Sequence, residues 1–254
     1  PWRVYRRAAW GPHVDLFILD CRSYRAMHKP VVVGGGGEGG KSSKGVSGEA
    51  AGEAAATPQM SHMLGKTQLQ WLLAGLSESV ATWKFICTSV PLSYPTGWPR
   101  PEESGYDGWA DGQRGDSVGA EAELKAILQH IKDARVRNVI FISGDVHFPF
   151  CISYDPFHDG VPLVYEIGST PLHALCLPPP PDGPPDTSLN PTLLYAGDVA
   201  FGGTLQNFGL CAIDAEGRAV LSLHDVATGR VLYELRADPR RGGVSLSSGK
   251  CAMC

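Results

Sequence analysis

Several features are missing from this chain of 254 residues, and each absence removes a class of protein. Its longest apolar runs, such as 84–87 and 138–143, fall far short of the ~18 residues that a membrane-spanning helix needs. Lys and Arg number 22 against 26 Asp and Glu, a formal net charge of -4, so there is no basic excess of the kind that binds nucleic acid. No H-E-x-x-H pair occurs, which removes one common hydrolase signature. No internal repeat is apparent. The start, at Pro1, carries no charged segment followed by an apolar one, and Trp2–Val4 already reads as folded interior. The sequence therefore reads as beginning inside a domain, with any targeting signal upstream.

What is present is globular: 43% hydrophobic and 19% charged residues, with enough Gly (31) and Pro (20) to imply many loops. The seven cysteines are odd in number and irregular in spacing, and most lie in apolar strand-like runs. They read as buried reduced thiols rather than a disulfide framework. Cys251 and Cys254 form an isolated C-x-x-C at the end, without a second pair to make a metal site.

The elements read as follows. Val14–Asp20 is a buried strand ending in an acid. Residues 34–59 are Gly, Ala, Ser, Glu and Lys, with too little apolar surface to offset the entropy of ordering, and read as a disordered insertion. Limited proteolysis should cut there first; protection equal to that of the strand at 138–145 would refute this. Residues 66–80 are helical, with Leu69, Leu72, Leu73, Leu76 and Val80 on the apolar side and Gln68, Gln70 and Glu78 opposite. Trp83–Val90 is a strand, 91–117 a long aromatic-containing loop, 118–134 a second helix, and 138–145 a buried strand ending in Gly144-Asp145. Val161–Ile167 is another strand and 178–191 a Pro-rich loop. Phe208–Asp214, Ala219–Asp225 and Arg230–Arg236 form an antiparallel meander, with a flexible tail from about 240. Helices alternating with apolar strands indicate an α/β fold, whose sites gather beyond the carboxyl ends of the strands.

Three groups of residues could carry chemistry. Asp145 and His147, at i and i+2 after a strand, face one way if the extended geometry persists and could share a metal ion. Without that, they are a surface pair. Asp20 and Arg22 stand in the same relation; a guanidinium there suits a phosphate, or forms a structural pair with Asp20. Tyr106 and Trp109 in the long loop either wall a pocket or, for Trp109, plug the core. The remaining histidines lack metal-spaced partners, and Asn207 is assigned no chemistry.

LFILDCRSYR (16–25), LGKTQLQWL (64–72), ATWKFICTSVPLS (81–93), YDGWADG (106–112) and above all NVIFISGDVHFPF (138–150) together resemble the PhoD-like alkaline phosphatases, a branch of the metallophosphatases. YEIGSTPLHA (165–174) resembles the family's Glu-containing strand after G-D-V-H, and NFGLCAIDAEG through VLYELRADP its closing strands. The resemblance implies a two-sheet metallophosphatase sandwich flanked by helices, of which this chain is the C-terminal part. It implies a Ca- and Fe-dependent hydrolase of phosphate mono- or diesters, from a family with many exported members. It makes Asp145 and His147 metal residues, Arg22 and His147 catalytic, and Asp20, Arg22, Tyr106 and Trp109 substrate-binding. The family's upstream GD…Y and WDDHE-like motifs, which carry most of the metal ligands, have no counterpart here. The competing expectation is a non-catalytic remnant or binding module that keeps the fold without the metals.

Overall fold

The computed structural model describes residues 3–26, 62–96, 108–109 and 119–239. The proposed insertion at 34–59, Tyr106, the tail from 240 and the terminal C-x-x-C lie outside the described residues. Twelve elements follow in order: β1 (Arg6–Trp10), β2 (Val14–Ile18), α1 (Gly65–Glu78), β3 (Trp83–Cys87), α2 (Gly119–Asp133), β4 (Val139–Ser143), β5 (Phe150–Tyr154), β6 (Val164–Gly168), β7 (Pro191–Ala196), β8 (Asn207–Ile213), β9 (Ala219–Asp225) and β10 (Val231–Ala237).

Seven strands form one sheet, in the order β1-β2-β3-β4-β6-β5-β7, and three form a second, β10-β9-β8. At the centre of the large sheet, β2, β3, β4 and β6 run parallel. β1 joins antiparallel to β2, and β5 antiparallel to both β6 and β7. One face of this sheet, with Phe17, Ile86, Phe141, Phe150 and Ile152, is buried under Leu72 and Leu76 of α1 and Leu124, Ile127, Leu128 and Ile131 of α2. The other face carries Val14, Phe85, Ile140, Cys151, Tyr165 and Ile167, packed on Leu221, Leu223 and Leu235 of the small sheet. Central strands covered on both faces have no polar side, which is why they appear in the sequence as continuous apolar runs. The α/β, two-sheet expectation holds, with both described helices on one face.

Two expectations need correction. Gln68, expected on the exposed side of α1, is fully buried, while Val80, expected in its apolar stripe, is 98% exposed beyond the helix end. Cys211, in an apolar run, is exposed, whereas Cys21, Cys151 and Cys176 are buried free thiols.

Candidate active site at the carboxyl edge of the sheet

The parallel strands end level. Ile18 is in register with Cys87, Cys87 with Ile142, and Ile142 with Ile167. The segments that follow them, beginning at Leu19, Thr88, Gly144 and Ser169, therefore emerge along one edge. Asp20 and Gly144 are two strand spacings apart, roughly 10 Å.

Asp20 is held by a residue that the sequence pattern had placed in solvent. Gln68 on α1 accepts the Asp20 amide at Oε1 (2.8 Å) and donates Nε2 to the Asp20 carbonyl (3.0 Å). This closes a two-point clamp between helix and strand end, and it explains why a glutamine is buried there. Asp20 Oδ1 accepts the amides of Ser23 (2.8 Å) and Arg22 (3.1 Å). The chain has thus left strand geometry for a turn, so Asp20 and Arg22 are related by that turn and not by extended alternation. Burial pushes the Asp20 carboxyl upward, but the hydrogen bonds from Ser23 and then Arg22 outweigh it and hold the group below its ordinary value. Asp20 is therefore ionised at neutral pH. Its second oxygen, Oδ2, is buried and has no hydrogen-bond partner. Arg22 is exposed.

The G-D-V-H segment also departs from the expected geometry. β4 ends at Ser143, and both Asp145 (φ 75°) and His147 (φ 64°) adopt the left-handed conformation. Each costs a non-glycine residue on the order of 1 kcal/mol, and two within four residues of a strand end is a feature found at functional sites. The Val146 amide donates to the Gly144 carbonyl (3.0 Å), and the Leu177 amide to the His147 carbonyl (3.0 Å), which pins the turn. Asp145 is exposed, and His147 is half-buried. His147 Nδ1 is itself buried without a hydrogen-bond partner.

Trp109 lies in the core. It is 1% exposed, and its indole donates Nε1–H to Thr88 Oγ1 at 2.9 Å, so it plugs the core beneath the loop after β3. Its burial agrees with the core-plug alternative for Trp109 rather than with a pocket wall.

Behind the edge lies Glu166, at the middle of β6 and fully buried. Its Oε1 accepts Ser143 Oγ (2.6 Å) and the Leu92 amide (3.1 Å), and its Oε2 accepts the Tyr154 hydroxyl (2.5 Å). One carboxylate so ties the end of β4 to the loop after β3. Burial pushes the Glu166 carboxyl up to about 7, against the hydrogen bonds from Ser143, Tyr154 and Leu92 that favour its ionised form. The sign follows directly. A folded pKa above the unfolded one means that the folded state binds the extra proton, so this group's stabilisation is complete below about 4.5 and is lost as pH rises through about 7. The difference amounts to roughly 3 kcal/mol. Glu166→Gln should flatten the urea-unfolding stability of the protein between those pH values relative to the parent; parallel curves would show that Glu166 does not titrate in this window.

Asn207, to which the sequence assigned no chemistry, fastens the small sheet to this edge. It is fully buried and donates Nδ2 to the carbonyls of Thr170 (2.7 Å) and Leu205 (3.0 Å). Two other histidines have structural partners: His13 bonds Thr82 Oγ1 (2.8 Å) and His130 bonds Ser77 Oγ (2.8 Å). Among the described residues, no group of three or more His, Cys, Asp or Glu is placed to hold a metal ion by itself.

The sequence profile of the family described as PhoD-like phosphatase matches residues 1–221. The chain belongs to the PhoD-like phosphatase family. The fold agrees: a solved structure of PhoD superposes with a TM-score of 0.55 at 17% identity, over 96% of this chain and 46% of that one. A purple acid phosphatase, PPD1 from seeds of yellow lupin (Lupinus luteus), superposes with a TM-score of 0.40 at 11% identity, over 89% of this chain and 31% of that one. No curated protein matches the chain in sequence. The chain thus spans less than half the length of the solved PhoD chain that it matches.

Proposed function

We propose that this chain is the portion of a metal-dependent phosphatase that contributes one wall of the active site, and that the whole protein hydrolyses phosphate mono- or diesters. The observation that carries the reading is the pair of orphaned buried atoms, Asp20 Oδ2 and His147 Nδ1, on two segments of the same sheet edge. An ionised carboxylate oxygen and a ring nitrogen left without partners each cost folding free energy, on the order of 1–3 kcal/mol. Both are donors of the kind that iron takes, and the carboxylate oxygen also suits calcium. The residues therefore fit metal ions. Asp145 and His147 would hold them, and Asp20 stands near as a further carboxylate.

Bound metal ions would supply Lewis-acid polarisation of the phosphoryl group and a water of lowered pKa. The chain's own residues do the rest. Arg22, exposed at the edge, offers a planar fork to two phosphate oxygens and holds the substrate against the Gly144–His147 turn. His147, on the opposite segment, would hold the metal or meet a phosphate oxygen. Tyr106 belongs with the substrate-binding residues by resemblance. Gln68 and Glu166 hold Asp20 and Ser143 in place and touch no substrate. The metals are expected to be Ca and Fe, and the substrate a small phosphoester.

The test is turnover of a chromogenic phosphomonoester and a phosphodiester by the full-length protein, with Ca and Fe supplied and with chelator. Chelator-sensitive hydrolysis supports the reading. A folded full-length protein that hydrolyses neither, metals present, would be the non-catalytic binding module instead.

A further inference from the structure

Beneath the carboxyl edge, one hydroxyl joins segments that are far apart in sequence. Thr88 is the first residue after β3, and its amide donates to the Ile142 carbonyl of β4 (2.9 Å). Its side chain is buried and makes three hydrogen bonds. Oγ1 donates to the Val90 carbonyl (3.2 Å), accepts the Trp109 indole N–H (2.9 Å) and meets Cys21 Sγ at 3.4 Å. A hydroxyl has one proton to give and two lone pairs to offer. The proton goes to Val90 and one lone pair to Trp109, so the Cys21 thiol is the donor to the second. Burial pushes the Cys21 thiol up, which keeps that proton in place. Every hydrogen-bonding site of the hydroxyl is then used. The partners are themselves closely seated. Trp109 follows Gly108, where a Cβ would come 2.7 Å from Thr96 Oγ1. Ser89, next to Thr88, runs past the G-D-V-H segment, its carbonyl oxygen 3.9 Å from where a Cβ of Gly144 would stand. Cys21 lies inside the turn whose amides Asp20 Oδ1 accepts. Gln68 holds that turn by the main chain of Asp20, and Thr88 holds it by the side chain of the next residue. Arg22 follows directly and is exposed.

We propose that Thr88 is a positioning residue for phosphate binding: held by the Trp109 indole, its hydroxyl fixes Cys21 and so fixes where the turn presents the Arg22 guanidinium. The role of Arg22 rests on the phosphatase reading above; the three bonds of the hydroxyl do not. Thr88 itself is buried and touches no substrate. Arg22 would grip phosphate oxygens in the ground state and the transition state alike. Displacing it therefore weakens binding without slowing the bound reaction, so the effect falls on KM and not on kcat. Removing the hydroxyl also leaves the indole N–H, the thiol and the Val90 carbonyl buried without their partner, which favours rearrangement of the segments that carry them.

The experiment uses the full-length protein with metals supplied. Thr88→Val keeps the shape of the side chain and removes the hydroxyl. KM for a chromogenic phosphoester and Kd for inorganic phosphate should both rise about tenfold, with kcat within about twofold of the parent. Thr88→Ser, which keeps the hydroxyl, should restore both. Cys21→Ala removes one bond of the three and should raise KM by about threefold; it carries the test if Thr88→Val does not fold. In an Arg22→Ala background Thr88→Val should add no further rise in KM, because the two act through one contact. Amide exchange at Arg22 and Ser23 should quicken at least about tenfold in Thr88→Val, with Leu16 and Phe17 of β2 unchanged. A merely structural hydroxyl would lower the folded fraction, and with it the apparent kcat, at unchanged KM and Kd; that result overturns the proposal, as does a further rise in KM in the Arg22→Ala background. A parent that binds inorganic phosphate but hydrolyses no ester, with that binding weakened in Thr88→Val, would sink the enzyme reading and leave the positioning role. A parent that neither binds phosphate nor hydrolyses an ester would end both.

Discussion

Asp145→Asn in the full-length protein should lower bound metal and phosphoester turnover together, each by at least about 100-fold, the upper end of what removal of an outer-shell partner costs. The side chain is exposed at the end of β4, at the edge shared with Asp20, so it can reach an ion without moving the core. An amide keeps the shape of the carboxylate but loses the charge that offsets a cation. The substitution is also gentle on the backbone. Asp145 sits at φ 75°, a conformation that Asn tolerates as well as Asp, so the turn should survive and the loss be attributable to charge. Elemental analysis beside turnover on a chromogenic phosphodiester decides the matter. Full metal occupancy with unchanged turnover would return Asp145 to a structural role.

The fold was legible where burial is two-sided. β3 and β4 are each covered by helices on one face and the small sheet on the other, and Trp83–Cys87 and Val139–Ser143 accordingly show as apolar runs. The meander of β8, β9 and β10 was legible from its turns, and Ala219–Asp225 ends where its sequence pattern does. β1 was not. Its sequence, RRAAW, has no apolar alternation, and all five residues are exposed. It is held by pairing to β2 and by Arg7, whose guanidinium meets Asp15 at 2.6 Å and lies over the Phe17 ring. None of that has a local signature.

The site divides in the same way. Asp20, Arg22, Asp145 and His147 follow strands that sequence alone locates, and the structure brings their segments to one edge. How the side chains are presented was illegible, because alternation was assumed to continue past the last ladder residue. In fact an aspartate-capped turn follows β2, and two left-handed residues follow β4. The supporting residues escaped notice for another reason. Gln68 and Glu166 are polar, and a polar residue in an amphipathic pattern reads as solvent-facing. Their partners lie 48 positions away in one case and 23 and 74 in the other, so only the tertiary structure reveals that their polar atoms are satisfied. Trp109 shows the converse: an aromatic in a polar loop was compatible with a pocket wall or a core plug, and its burial against Thr88 agrees with the plug.

Residues 1–254 alone should show little or no phosphatase activity. Coordination of a pair of ions requires several carboxylate, imidazole or amide ligands. This chain offers Asp145 and His147, with Asp20 as a possible third, and among its described residues no ready-made cluster of three. Two or three donors along one side of a cleft leave an ion mostly hydrated, so Arg22 would hold a phosphate with nothing fixed opposite it to orient an attacking water. Exposed apolar surface adds a second handicap. Trp10 and Leu210 are both exposed, and exposed large apolar side chains favour association between chains over a monodisperse solution. Expression of the chain beside the full-length protein, each assayed with Ca and Fe at equal protein concentration, measures both effects: specific activity from turnover, and association from light scattering. The full-length protein should be active and monodisperse, and the 1–254 chain neither. A soluble, monodisperse 1–254 chain with comparable specific activity would mean that Asp20, Asp145 and His147 suffice, and that the ligands assigned to the rest of the protein are not needed.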